Sequence, residues 1–98
     1  MSIVVMFHEA CPEDSLAFPS WERLRKYIVD KICSDFEWRS KAYHIYHSTR
    51  EWVELHSDVT SDFYSFEEWY PDMSYTSMNE LTSYFGYSAI EEIDYVSI

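Results

Sequence analysis

The sequence predicts a small single-domain α+β protein, with a mainly antiparallel sheet, one long helix and one or two short helices. Three observations carry this expectation. A run of β-branched residues opens the chain, an apolar stripe at helical spacing follows, and an alternating run closes it. Ninety-eight residues suit one domain spanning 1–98. A content of 47% hydrophobic and 19% aromatic residues supplies enough apolar surface to offset the entropy of ordering.

Residues 2–8, SIVVMFH, read as a strand, since β-branched and aromatic residues run without a breaker. EACPEDSLAFP reads as a loop punctuated by Pro12 and Pro19. SWERLRKYIVDKICSDF is the clearest helix. Ser20 suits the N-cap, Trp21, Leu24, Ile28 and Ile32 form the inward stripe, and Arg23, Lys26 and Asp30 fall on the other face. Such a helix is expected to pack on a sheet.

KAYHIYHS (41–48) and REWVELHS (50–57) read as two strands joined near Thr49. Alternation sets Tyr43, Ile45 and His47 against His44 and Tyr46, and Trp52, Glu54 and His56 against Val53 and Leu55. A helical reading of 50–56 also fits. Ser65 and Glu68 have capping-box spacing, which predicts one short turn from Phe66 to Tyr70 before Pro71 stops it. Ser77 and Glu80 form a second box opening a helix from Met78 to about Phe85, with Gly86 as its left-handed stop. The tail reads as a strand, with Ile93, Tyr95 and Ser97 opposite Asp94, Val96 and Ile98.

Several chemistries are excluded by what is missing. Phosphate-cradling loops, dinucleotide-binding loops and nucleophile elbows need several glycines, and Gly86 is the single one here. No cofactor is therefore expected. Cys11 and Cys33 are too few for a disulfide scaffold, and the apolar start lacks a basic flank. A cytoplasmic protein with reduced thiols and no membrane contact is the expectation.

His44 and His47, with His56, His8 and Cys11, lack the spacing of a zinc site, because on a strand His44 and His47 point to opposite faces. Glu67 with Glu68, or Glu91 with Glu92, are neighbours in sequence and do not face each other as catalytic carboxylates must. The glycine-containing calcium loop is absent. Neither cysteine has the local signature of a Cys–His nucleophile, and a structural thiol is the plainer reading. No enzyme is expected, and no catalytic or metal-ligating residue is assigned.

Charge is the strongest signal. Residues 1–50 balance seven acids against all seven bases, so the net charge of -11 lies wholly in residues 51–98, which hold no Lys or Arg. Acidic surfaces also serve solubility alone. Here, though, the acids interleave with aromatics, most densely in DVTSDFYSFEEWYPDMSY (58–75), and no base sits among them, so the patch is expected to lack local neutralisation. Such a half would repel nucleic acid and attract a basic protein.

Duplex DNA carries one charge per about 3.4 Å along each strand. Carboxylates on alternate strand residues lie about 6.7 Å apart, and those four apart on a helix about 5–6 Å. Asp58 with Asp62, Glu92 with Asp94, and Glu51 with Glu54 are rows of this kind. The residues expected to contact a partner are Asp58, Asp62, Glu67, Glu68 and Asp72, with Glu91, Glu92 and Asp94 as a second row. Tyr64, Trp69 and Tyr70 are the expected anchors, each equally suited to core packing.

In size, acidity, aromatic richness and single-domain build, the whole chain resembles the small acidic DNA-mimic inhibitors that phages encode against host defence: anti-CRISPR proteins, antirestriction proteins and inhibitors of uracil-DNA glycosylase. The likeness is one of class, without a shared motif, and such inhibitors have many folds. It implies a non-enzymatic inhibitor that fills the basic nucleic-acid-binding groove of a host protein, in the host cytoplasm if phage-encoded. An immunity protein or antitoxin neutralising a basic nuclease toxin is the alternative. Another is a homodimer or larger homo-oligomer in which the acidic half meets Arg23, Arg25 and Lys26 of a second copy.

Overall fold

A computed structural model describes the backbone of residues 2–56 and 65–94, and side chains for 2–49 and 65–94. The chain forms an α+β domain as expected, with three antiparallel strands in one sheet and the helices packed against it. Strand β1 (Ser2–His8) lies in the centre, with β2 (Leu16–Phe18) on one side and β3 (Tyr87–Asp94) on the other. Both pairings are antiparallel, with Val5 opposite Ala17 and Met6 opposite Ile90. β2 falls inside the stretch expected to be loop. Three residues between Ser15 and Pro19 are too short a run to register as alternation, and the pairing to β1 is what makes them a strand.

Val4, Met6 and Ile90 project from one face of the sheet into the main core. Helix α1 (Trp21–Ser34) meets it with Leu24, Ile28 and Ile32, all fully buried, and Ser20 caps it by accepting the Arg23 N–H. Helix α2 (Phe36–His56) adds Trp38, Ala42, Ile45 and Tyr46. A single residue separates the two helices. Asp35 is extended (φ -121°, ψ 121°), its N–H ends α1 on the Lys31 carbonyl, and its Oδ1 accepts from the N–H groups of Glu37 (2.9 Å) and Trp38 (3.4 Å).

α2 corrects the expected pair of strands at 41–48 and 50–57. Burial runs at 38, 42, 45 and 46, a helical repeat that puts the adjacent Ile45 and Tyr46 inside and leaves Tyr43, His44 and His47 outside. A strand would have placed Ile45 with His47. Core packing of this stripe outweighs the β propensity of the Tyr, Ile and His residues. The α+β fold therefore includes two long helices, and His44 and His47 sit one turn apart on an exposed helical surface.

Helix α3 (Phe66–Trp69) starts where the box at Ser65 predicts, and a 3-10 turn over Tyr70–Asp72 contains Pro71. The cap works through the Ser65 carbonyl, which accepts from Glu68 and Trp69, and the Ser65 hydroxyl makes no capping bond. Helix α4 (Tyr75–Ser83) begins one turn earlier than expected. Ser74, three residues before Ser77, takes the cap by accepting the Ser77 N–H at 3.2 Å. Extended backbone at Met73 and Ser74 frees the chain there, and the earlier start buries Met78 and Leu81. Gly86 follows the last turn with φ 93°, as a left-handed stop requires. The expected strand residues Tyr95, Ser97, Val96 and Ile98 lie outside the described residues.

Candidate acidic interface

The described part of the acidic half, residues 65–94, holds its carboxylates outward. Glu67, Glu68, Asp72, Glu80, Glu91, Glu92 and Asp94 are all the acids between Ser65 and Asp94, and every one is exposed. Phe66, Trp69, Tyr70, Phe85 and Tyr87 turn inward, while Tyr75 and Tyr84 stay exposed. Phe66 is buried against Tyr46, Trp69 and Tyr70, at centroid distances of 5.8, 6.1 and 5.2 Å. Trp69 and Tyr70 are half-buried, so the two anchors expected there also form part of the core wall.

One expectation is overturned locally. No base is near the acids in sequence, yet Arg39 reaches Glu67 from α2, with Nη2 to Oε1 at 2.7 Å. Its guanidinium also lies over the Phe66 ring at 5.2 Å. Arg25 of α1 donates to the carbonyls of Met73 (2.7 Å) and Pro71 (3.3 Å), pinning the end of the 3-10 turn. Lys31 and Lys41 cover the rings of Tyr27 and Tyr84. Of the six bases whose side chains are described, four are thus engaged with rings or carbonyls, while Arg23 and Lys26 stay on the open face of α1 beside Phe18 and Tyr27. Among the described residues Glu67 has the one ion pair.

Glu68, Trp69 and Asp72 come together with Thr49, Ser74 and Ser77 around a surface cleft of about 420 Å³. Two carboxylates and three hydroxyls beside the Trp69 indole suit a cationic side chain better than an anion. Tyr70, next in sequence to Trp69, packs on Phe66. Its hydroxyl meets Cys33 Sγ at 3.5 Å, and that bond, then burial and the nearby Glu67, push its pKa up against the opposing Arg39.

The second row lies on β3. Glu92 and Asp94 continue the face that buries Ile90, and Glu91 lies on the opposite face with Ile93. Glu92 accepts from the Ser2 hydroxyl at 3.3 Å. Tyr75 ties the two acidic segments together, since its hydroxyl donates to the Ile90 carbonyl while its exposed ring edges onto Trp21. Sequence reasoning does not select Tyr75, because its exposure follows from where α4 begins. Asp58, Asp62 and Tyr64 lie outside the described residues, as do the side chains of Glu51 and Glu54.

Among the described residues no helix is long and apolar enough to cross a membrane. Comparison with protein-family models, curated proteins and solved structures finds no match.

Proposed function

We propose that this protein is a non-enzymatic inhibitor whose acidic face occupies the basic nucleic-acid-binding groove of a partner protein, in the manner of the phage-encoded DNA mimics it resembles. The observation that carries the reading is the outward display of all seven carboxylates between Ser65 and Asp94, with Glu67 alone drawn into an ion pair. Folding leaves six of them with their charge directed at solvent, where it steers association with a positive surface. The cleft at Glu68, Trp69 and Asp72 gives an inserted Arg or Lys side chain two carboxylates and the apolar surface of an indole to lie against.

The test is a paired capture from host lysate, using the intact chain and a variant carrying Glu68→Gln, Asp72→Asn, Glu91→Gln, Glu92→Gln and Asp94→Asn. These positions are exposed, so the variant keeps its fold, which circular dichroism checks. The proposal expects a nucleic-acid-binding protein to be retained by the intact chain and lost by the variant. Equal capture by both forms contradicts it.

A further inference from the structure

We propose that His8, Cys11 and Asp14 form a three-ligand site for a zinc-class divalent metal ion, at the end of the sheet and independent of the acidic residues argued above. One ligand atom from each of the three lies within 4.8 Å of the other two. The zinc bond lengths of imidazole, thiolate and carboxylate place tetrahedral ligands about 3.3–3.8 Å apart. Closure therefore needs shifts of at most about 1–1.5 Å, the scale of a side-chain rotation, and Asp14 is exposed and free to make one.

The backbone builds this cluster, and the i, i+3, i+6 spacing alone does not. His8 ends β1, and its N–H donates to Ser15 Oγ at 2.9 Å, folding the intervening segment back on the strand. Pro12–Asp14 is a 3-10 turn, with Cys11 at its cap position and Asp14 at its end. The Cys11 side chain takes no part in capping, and its thiol is free.

The imidazole is held on its other sides. Tyr87 packs edge-on at 5.3 Å, and Nε2 lies so close to Gly86 that a Cβ there would stand 2.7 Å from it. The edge left facing Cys11 is Nδ1, which accepts the Cys11 N–H at 3.1 Å. Its lone pair is therefore already aimed into the loop, with the ring proton on Nε2. A bound ion takes that lone pair in place of the amide, the Cys11 thiol releases its proton to solvent, and Asp14 supplies one oxygen. One nitrogen, one sulfur and one oxygen select a borderline-soft ion of the zinc or cobalt kind over calcium or magnesium, and leave a fourth position for water.

Cobalt(II) titration of the full chain, held reduced by a non-thiol reductant, tests this. One equivalent is expected to raise a thiolate-to-cobalt charge-transfer band in the near ultraviolet together with tetrahedral visible bands, all bleached by zinc. Cys11→Ser is expected to lose the charge-transfer band, Cys33→Ser to keep it, and Asp14→Asn to shift half-saturation several-fold higher with the fold unchanged. Non-specific binding to the acidic face produces no thiolate band. The proposal is overturned if no band appears, if the band survives Cys11→Ser, if it is lost in Cys33→Ser, or if Asp14→Asn titrates like the parent.

Discussion

Gly86 holds a backbone conformation, φ 93°, that a side chain tolerates poorly, and the His8 ring occupies the space a Cβ would need. Gly86→Ala is expected to destabilise the fold by about 1–3 kcal/mol from the strained dihedral, with the contact to His8 adding to it. Urea denaturation measures the loss, and His8→Ala in the same chain should recover only the part due to the contact. The Arg39–Glu67 pair predicts the opposite kind of result. Both side chains are substantially exposed, so Glu67→Gln should change stability by less than about 1 kcal/mol in the same assay. Tyr27 and Tyr87 give a pH dependence. Burial raises both pKa values above 10.0, so the folded chain keeps phenolic protons that the unfolded chain gives up. Their contribution is complete below pH 10 and is lost as pH rises through the folded values. Urea midpoints should therefore fall from about pH 10 upward, and an absorbance titration should show late-ionising tyrosines.

At the scale of elements, the junction at Asp35 separates two helices that would otherwise run together. Asp35→Ala removes the acceptor for the first N–H groups of α2 and is expected to cost about 0.5–2 kcal/mol. The helical register of α2 has its own test. Ile45→Ala should cost about 2–5 kcal/mol, whereas His47→Ala should be close to neutral, because Ile45 is buried and His47 exposed. A strand would have put the two on one face. The elements legible in the sequence are those where propensity and apolar spacing agree: β1, α1 with its Ser20 cap, the short turn before Pro71, and the Gly86 stop. α2 reads as strand in the sequence because Tyr43, Ile45 and Tyr46 favour strands individually, and only packing on Leu24, Ile28 and Phe66 reveals the helical stripe. β2 exists through its pairing with β1, which no local pattern encodes.

For the whole molecule, the charge asymmetry is legible in the sequence itself, because composition needs no geometry. Glu67, Glu68, Asp72, Glu91, Glu92 and Asp94 are all exposed. The approach of Arg39 across 28 residues is not legible there, nor is the meeting of Thr49 with Glu68, Asp72 and Ser77 around one cleft, since both depend on how α2 crosses α3. Among the described residues, Arg25, Lys31, Arg39 and Lys41 are anchored on rings or carbonyls, while the seven acids of 65–94 face solvent; under the proposed function this division meets a positive partner surface. The most direct measurement is the affinity for the captured partner across a series of salt concentrations, repeated with excess duplex DNA as competitor. Occupation of a basic nucleic-acid groove predicts an affinity that falls steeply with salt and mutual displacement by DNA. An affinity that is flat with salt, or a complex that binds duplex DNA without releasing this protein, would contradict it.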